Sequence, residues 1–329
     1  MAEEKCRVFK ENHFNRHKRT GIVFPTVSML IKEWFDQKRL VHKESTQANY
    51  RAKASKHIIP AFDGVLIQDL SHREINDFAI KLAKKGLSVN YVRSIMVLFK
   101  SILNYGVRAY GLNISLDLIE LPSKQFKEKD IYSHDEAAAL FRTAVQLHTL
   151  TSVAVVFALG FGLRIGEICG LKWSDIDLDG KIIHVRRTVQ RVGCRDENCR
   201  SKVMCGDPKS KSSIRDIIIP DRLCSILKIL KSDGNSYIVS GKETFIEPRT
   251  LQYRYKAFVK SCGVRYLSFH SLRHYKATAN FENGVEDLII SKALGHSSLE
   301  VTNSIYIHSR IGQQRKYADL MDIPEEFIA

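Results

Sequence analysis

The polar stretch NISLDLIELPSKQFKEKD divides the sequence into two parts. This stretch, residues 113–130, lacks the apolar spacing of a helix and contains Pro122 and several charged residues, which is typical of a linker. A chain of 329 residues is long enough for two domains. The sequence therefore predicts a first domain over residues 25–112 and a second domain over residues 131–329. Residues 1–24 are polar and basic, and predict an arm ahead of the first domain.

The first domain has the apolar spacing of amphipathic helices. The segment TVSMLIKEWFDQKRL places its apolar residues on one helical face after a Thr26 cap. A second helix is predicted to stop at Pro60. A third begins with a capping box of Ser71 and Glu74 and stops at Gly86. The long segment SVNYVRSIMVLFKSILNYGVRAY predicts a fourth helix, so this domain is expected to be a compact helical unit.

The second domain combines helices with a small amount of strand. Its first helix opens with a capping box of Ser133 and Glu136. The β-branched segments KIIHVRRTV and SIRDIIIP predict antiparallel strands separated by a long polar insertion. From Asp221 onward the pattern is mostly helical again. The predicted fold class is therefore mainly α with a small antiparallel β-sheet: a helical first domain and an α+β second domain.

The charge and cysteine content of the chain narrow its partners and location. Lysine and arginine number 51 against 36 acidic residues, a formal net charge of +15. This excess favours binding to nucleic acid, because each neutralised phosphate releases counterions, although it also serves plain solubility. The sequence has no apolar run long enough to span a membrane, and its N-terminus lacks the apolar centre of a signal peptide. The chain has seven cysteines, an odd number that fits reduced thiols better than a set of disulfides. The absence of a membrane span and of a signal peptide, together with reduced thiols, predicts a cytoplasmic protein.

Short segments of the second domain concentrate polar residues that can do chemistry. GFGLRIGEICGLKW places Arg164 and Glu167 one turn apart at the start of a helix. FHSLRHYKATAN places His270 and Arg273 one turn apart, so that both are expected to face the same way. Taken singly, these residues also fit ordinary roles, a solvated ion pair for the first two and a hydrogen-bonded core residue for the histidine.

Two further residues follow in the same domain. ALGHSSLEV places His296 on a tight turn ahead of a serine-capped helix, and NSIYIHS places Tyr306 on that helix or just past it. Each of them alone would fit a packed core side chain. Together these residues indicate chemistry on a phosphate. Arginines can bind a phosphate at two points, and histidines can donate hydrogen bonds to its oxygens or transfer a proton. A tyrosine hydroxyl, with an ordinary pKa of about 10, becomes a usable nucleophile beside a cationic cluster.

The motifs GLRIGE, HSLRH, LGHSS and YIH, in this order, resemble those of the tyrosine recombinase family, in particular phage and conjugative-transposon integrases. The resemblance covers nearly the whole chain, with a core DNA-binding domain followed by a catalytic domain that ends in a C-terminal tail. It implies a C-shaped clamp on duplex DNA and a homotetramer on paired recombination sites, formed from a monomer or weak oligomer. It also implies strand exchange through 3′-phosphotyrosyl intermediates without metal, ATP or another cofactor, away from membranes, with an accessory directionality factor as a further partner.

The resemblance assigns roles to the residues of these motifs. Arg164 and Arg273 correspond to the arginines that bind the scissile phosphate, and Glu167 to the acidic residue that supports the first of them. His270 corresponds to the acid/base histidine, and His296 to a second phosphate-binding position.

The remaining roles fall to the tyrosine and to a lysine. Tyr306 corresponds to the nucleophile, and the tail after it is expected to dock on a neighbouring protomer. The family also has a lysine on the turn of the β-hairpin that protonates the leaving 5′-oxygen. DPKSKSSIRDIIIP offers Lys211 and Lys209, and Lys211 is preferred because it comes immediately before the second strand.

The long insertion between the strands has two interpretations. Cys194, Cys199 and Cys205 could bind zinc together with His184 or another residue, but their spacing is not a standard zinc spacing and the sequence does not make the fourth ligand evident. A flexible basic loop that follows the DNA backbone is the favoured interpretation. The basic residues that favour it are Arg191, Arg195, Arg200 and Lys202.

Two other functions compete with that of an integrase that inserts and excises a mobile element. A type IB-like topoisomerase shares the phosphotyrosine chemistry but acts as a monomer. A DNA-binding regulator that has lost catalysis would have no need for the complete set of arginines, lysine, histidines and tyrosine.

Overall fold

The computed structural model describes residues 24–125, 130–193, 201–208, 213–232 and 234–295. These residues divide into two compact units, the first holding residues 24–125 and the second most of residues 130–295. Several predictions fall outside the described residues: those on the N-terminal arm, the C-terminal tail, Cys194, Cys199, Arg195, Arg200, Lys209, Lys211, His296 and Tyr306.

The first unit is helical, as predicted. Its α-helices are α1 Val27–Gln37, α2 Glu44–Lys53, α3 Ile59–Phe62, α4 His72–Lys84 and α5 Val89–Tyr110. The predicted apolar face of α1 is buried, and the side chain of Thr26 accepts a hydrogen bond from the N–H of Met29. Ser71 and Glu74 form the predicted capping box at the start of α4. These helices therefore enclose one apolar core.

The predicted stop at Pro60 is wrong. The chain continues from α2 through a π-helical turn, Ala54–Ile58, directly into α3. Pro60 is the second residue of α3 and follows the π-helical turn directly. It has no N–H to donate to the preceding turn, but the helix continues past it to Phe62.

The first part of the predicted linker packs on the first unit. Ile119 is buried in that unit's core. Asn76 on α4 donates to the carbonyl oxygen of Leu118 at 3.0 Å and accepts from the N–H of Glu120 at 3.0 Å. These two hydrogen bonds from one asparagine side chain satisfy backbone groups that a helix or strand would otherwise pair. They explain why a segment without helical periodicity packs on the first unit.

The second unit has the predicted α+β character. Its helices are α6 His134–Leu147, α7 Leu150–Phe161, α8 Ile165–Gly170, α9 Asp221–Leu230, α10 Pro248–Ser261, α11 Phe269–Glu282 and α12 Asp287–Leu294. The strands that follow α8 are β1 Ile176–Asp177, β2 Ile182–Val185, β3 Thr188–Gly193, β4 Ser201–Gly206 and β5 Arg215–Ile218. The predicted antiparallel pairing is found between β2 and β5, with β1 on the other side of β2. Ser133 and Glu136 form the predicted capping box ahead of α6.

Part of the predicted loop is regular structure. Strand β3 begins in KIIHVRRTV and runs into the polar insertion, β4 lies within the insertion, and the two strands form a separate two-stranded sheet. On β4, Val203 and Cys205 pack against the core of the second unit, while Lys202 and Met204 are exposed. This alternation is that of a strand with one covered face, so the prediction of a flexible loop does not hold for these residues.

Helix α7 is the centre of the second core and sets up the polar residues that follow it. It is apolar nearly all round, and most of its residues are buried, as expected for a helix covered on every side. It ends at Gly162, whose φ of +67° is in the left-handed region that glycine adopts without strain. The chain turns there and begins α8 within three residues, at Ile165.

Candidate active site

Arg164 and Glu167 form a close local pair at the start of α8. Arg164 is the residue before the helix, and its N–H donates to Glu167 Oε2 at 2.9 Å. Its guanidinium Nη1 donates to Glu167 Oε1 at 2.7 Å. The Arg164 side chain is 34% exposed, whereas that of Glu167 is 2% exposed. The buried carboxylate therefore anchors an arginine that still reaches solvent.

A second arginine, Arg215 on β5, binds the same carboxylate. Its Nη1 and Nη2 donate to Oε1 and Oε2 of Glu167 at 3.1 and 3.0 Å, a two-point pair inside the protein. Burial raises the pKa of Glu167, but hydrogen bonds and charge from Arg215, with the charge of Arg164, outweigh it and hold that pKa below its usual range. Glu167 is thus ionised at neutral pH despite its burial.

Arg273 on α11 is buried, with 2% of its surface exposed. Its Nη1 donates to the carbonyl oxygen of Gly162 at 2.7 Å, and its Nη2 donates to that of Leu294 at 2.7 Å. The guanidinium therefore joins the turn after α7 to the end of α12.

Three guanidinium groups meet at the end of α12. The consecutive carbonyl oxygens of residues 293–295 accept hydrogen bonds from Arg215 Nε at 2.7 Å, Arg273 Nη2 at 2.7 Å and Arg164 Nη2 at 2.6 Å, in that order. The last carbonyls of a helix lack partners within it and carry the negative end of its dipole, so cations are favoured there. Arg164, Arg215 and Arg273 form the arginine cluster. The carbonyls that they bind belong to the residues immediately before His296 in the chain.

His270 and Arg273 share α11 but differ in environment. His270 is in the first turn of the helix and is exposed, while Arg273 is buried. The His270 ring packs edge-on against the ring of His274, with centroids 4.4 Å apart. The two side chains therefore differ in exposure although they lie one turn apart on α11. His274, which is buried, was not singled out from the sequence.

Arg215 is the main residue of the cluster that sequence reasoning missed. The signal for it is the alternation along β5, where Arg215 lies on the same buried face as Ile217. An arginine at an inward position of a strand needs a carboxylate partner, since a buried unpaired charge is very costly. The partner, Glu167, is 48 residues away in sequence, which no local pattern reveals.

The predicted DNA-binding residues on the insertion have mixed environments. Arg191 on β3 makes a two-point ion pair with Glu247, with Nε–Oε1 and Nη2–Oε2 distances of 2.6 and 2.7 Å. Hydrogen bonding and charge from Arg191 hold the pKa of Glu247 below its usual range. Lys202 on β4 is exposed. The charge of Arg191 is therefore partly compensated within the protein.

Of the residues suggested for zinc binding, the structure describes His184 and Cys205, and both make other contacts. His184 on β2 faces Asp216 across the sheet, with Nδ1 and Oδ1 2.8 Å apart. Cys205 packs against the apolar core. Across residues 24–125, 130–193, 201–208, 213–232 and 234–295, no group of three histidine, cysteine or acidic side chains is arranged to hold a metal ion.

Two comparisons identify sequence relatives. The model described as "Phage integrase family" matches residues 131–312, more than half of the chain, and "Phage integrase, N-terminal SAM-like domain" matches residues 26–83. The chain is 28% identical over 310 residues to "Tyrosine recombinase XerC-like" from Caldanaerobacter subterraneus subsp. tengcongensis, covering 86% of this chain and 79% of that one. It is 26% identical over 331 residues to "ICEBs1 integrase" from Bacillus subtilis, covering 96% and 86%.

A solved structure shares the fold. The Tn1549 transposon integrase in complex with transposon right end DNA superposes with a TM-score of 0.68 at 18% identity, covering 88% of this chain and 99% of that one. Among the helices of the described residues, none is both long enough and apolar enough to cross a membrane.

Proposed function

From its membership of the phage integrase family, as a tyrosine-type site-specific recombinase, we propose that this chain integrates and excises a mobile element. In this proposal it cleaves and rejoins duplex DNA through a 3′-phosphotyrosyl intermediate. The names of two similar proteins, the ICEBs1 integrase and the Tn1549 transposon integrase, support the mobile element. The transposon right end DNA bound in the Tn1549 integrase structure supports DNA as the partner.

The arginine cluster is the observation that carries this proposal. Arg164 and Arg273 come from the start of α8 and from α11, yet they bind neighbouring carbonyls at the end of α12. A scissile phosphate beside this cluster would have its charge neutralised in the transition state by both guanidinium groups, with Arg164 reaching it from the solvent side and Arg273 from its buried position. The segment that holds them continues directly into His296, the second phosphate-binding position of the proposal.

The proposed reaction exchanges one phosphoester for another. The hydroxyl oxygen of Tyr306 attacks the scissile phosphorus and forms the tyrosine–phosphorus bond, while the bond from phosphorus to the 5′-oxygen breaks. The proton of Tyr306 passes to His270, and Lys211, in preference to Lys209, supplies a proton to the leaving 5′-oxygen. Rejoining reverses these transfers with the 5′-hydroxyl of the partner strand.

The same chemistry indicates what else the protein needs. Two duplexes contain four strands that must be cut, and each chain supplies one Tyr306, so we propose four protomers on a pair of sites. The exchange leaves the number of phosphoester bonds unchanged and consumes no ATP, so it has no built-in direction. We therefore propose an accessory directionality factor that favours one product.

Covalent trapping tests the proposal. The purified full chain is mixed with sheared DNA from its source cell, quenched with detergent, and the DNA fragments attached to protein are sequenced. Enrichment of defined sequences, followed by joining of two duplexes that contain them, is the expected result. Relaxation of unrelated supercoiled plasmids without joining would instead indicate a topoisomerase, and specific binding without any adduct would indicate a regulator.

A further inference from the structure

Arg215 makes a set of contacts that exceeds the needs of a strand residue. Its side chain is 7% exposed. Besides the two oxygens of Glu167, it binds the carbonyl oxygen of Ala293 through Nε at 2.7 Å and that of Ser213 through Nη1 at 3.1 Å. Every nitrogen of the guanidinium thus has an acceptor, and the four acceptor atoms belong to three residues, Glu167, Ser213 and Ala293.

We propose that Arg215 is a positioning residue of the recombination reaction, which holds Glu167 so that Glu167 orients the guanidinium of Arg164 toward the scissile phosphate. The inference rests on the proposed function and adds to it a residue that does not itself touch DNA. It concerns Arg164 because this arginine, unlike Arg273, is partly exposed and needs an anchor to keep one direction.

The geometry favours this role because Glu167 is shared between the two arginines. Its Oε1 accepts from Nη1 of Arg164 at 2.7 Å and from Nη1 of Arg215 at 3.1 Å. Without Arg215, Glu167 would keep only the backbone N–H and the side chain of Arg164, whereas the two-point contact with a buried guanidinium fixes both carboxylate oxygens. Fixing it in advance removes rotamer freedom that Arg164 would otherwise lose on binding phosphate.

Arg215 also contacts the two segments that carry other proposed site residues. Ser213 lies two residues after Lys211, and Ala293 lies three residues before His296. Loss of Arg215 would therefore loosen the support of Arg164 and the backbone beside both segments. A residue that only joined β5 to α12 would not need the two-point contact to Glu167 as well.

A positioning role predicts a pH dependence that a purely structural role does not. Among the described residues, the charged groups that contact Glu167 are Arg164, at the start of its own helix, and Arg215, on β5. Removing Arg215 leaves Glu167 buried with one guanidinium, so the pKa of Glu167 rises. Protonated Glu167 no longer anchors Arg164 by charge, and cleavage then falls as the pH falls through the raised pKa.

The test compares Arg215→Met, which removes the charge, with Arg215→Lys, which keeps the charge without the planar fork. Arg265→Met and Arg265→Lys are matched controls, because Arg265 also joins a carboxylate, Glu136 at 2.8 Å, to a carbonyl, that of Ile131 at 2.7 Å. Two readouts are measured from mildly acidic to mildly basic pH. One is the rate of adduct formation on a trapped duplex, and the other is the carboxyl ¹³C shift of Glu167 without DNA.

We expect Arg215→Met to slow adduct formation by about 100-fold, the effect of a small misplacement in an active site, with a larger loss at lower pH and a raised pKa of Glu167. Arg215→Lys should lose rate but show less pH dependence, and both Arg265 variants should match the unmodified chain. Unchanged rates in folded Arg215→Met overturn the inference, as does an equal loss at every pH with an unshifted Glu167. If Arg215→Met fails to fold, an unmodified rate in Arg215→Lys overturns it.

Failure of the proposed function gives a different pattern. In that case the unmodified chain forms no adduct on any DNA, and the inference falls with the function. The pKa of Glu167 in the Arg215 variants would still report whether the two residues are coupled as the contacts indicate.

Discussion

The guanidinium of Arg273 donates a hydrogen bond of 2.7 Å to the carbonyl oxygen of Gly162, a residue with a φ of +67°. The same turn leads into Arg164 two residues later. One backbone turn therefore places Arg164 through the chain and Arg273 through a hydrogen bond. The conformation of Gly162 thus determines the position of both arginines that we propose to bind phosphate.

Gly162→Ala tests the importance of this turn. A Cβ at Gly162 would lie 2.4 Å from Cδ2 of Leu294, and Leu294 is buried and cannot swing into solvent. The left-handed conformation alone costs a non-glycine residue about 1–2 kcal/mol, and the collision adds to that cost. Gly263→Ala is the control, because Gly263 has the same φ of +67° with no atom within 4 Å of its Cβ position.

We expect thermal unfolding to show a larger loss of stability for Gly162→Ala than for Gly263→Ala, and adduct formation to fall only for the former. Equal losses of stability in the two variants would mean that the contact with Leu294 is not restrictive, and the proposed coupling through this turn would be wrong.

Arg273→Lys is expected to slow adduct formation by about 100-fold or more, the usual cost of removing one donor from a charge-stabilising site. Lysine keeps the positive charge but lacks the fork that reaches Gly162 and Leu294 together. Adduct formation at saturating protein measures the effect, and gel-shift titration should show little change in DNA affinity. A variant that cleaves at the unmodified rate would rule out the planar clamp.

Glu247→Gln is expected to strengthen DNA binding. The substitution removes one negative charge and the two-point partner of Arg191, which then becomes available to a phosphate. Affinity falls as salt rises, and one additional phosphate contact makes the plot of log affinity against log salt steeper by about 1. The gain in affinity is therefore largest at low salt. Binding is measured by titration of the trapped duplex over a range of salt concentrations.

The matched control for this prediction is Glu136→Gln, which changes the net charge equally and disrupts a similar pair with Arg265. If both variants raise affinity by the same amount, net charge alone accounts for the gain and Arg191 is not at the interface. A salt slope unchanged from that of the unmodified chain leads to the same conclusion.

Local signals in the sequence predicted most helices and the pairing strands. The contacts that the sequence did not predict join residues far apart in the chain. The capping boxes at Ser71 and Ser133 involve residues three apart, so their motifs alone were sufficient. The pair of Arg215 and Glu167 joins a strand to a distant helix, and its strength depends on burial that no motif encodes. In the same way, the order of the predicted linker depends on Asn76, a helix residue 42 positions from its partner.

Tyr306→Phe is expected to abolish adduct formation while leaving DNA affinity nearly unchanged. The substitution removes one oxygen, which in the proposed reaction acts only as the nucleophile. Digestion of the adduct and mass analysis of the DNA-linked peptide should identify Tyr306 in the unmodified chain. An adduct that persists in Tyr306→Phe, or a DNA-linked peptide containing Tyr317 instead, would contradict the assignment.

The roles of Lys209 and Lys211, which precede β5 in the sequence, can be separated by the chemistry of the leaving group. A 5′-oxygen leaves poorly unless it is protonated, whereas a 5′-sulfur leaves without protonation, so a general acid matters only for the oxygen. Lys211→Ala is therefore expected to be defective on an ordinary duplex and to recover on the same duplex with a bridging 5′-sulfur at the scissile position. Lys209→Ala, the matched variant, should show a smaller loss that sulfur does not restore, because its contribution would be charge alone. Rescue of Lys209→Ala but not of Lys211→Ala would exchange the two roles, and rescue of neither would mean that neither lysine is the general acid.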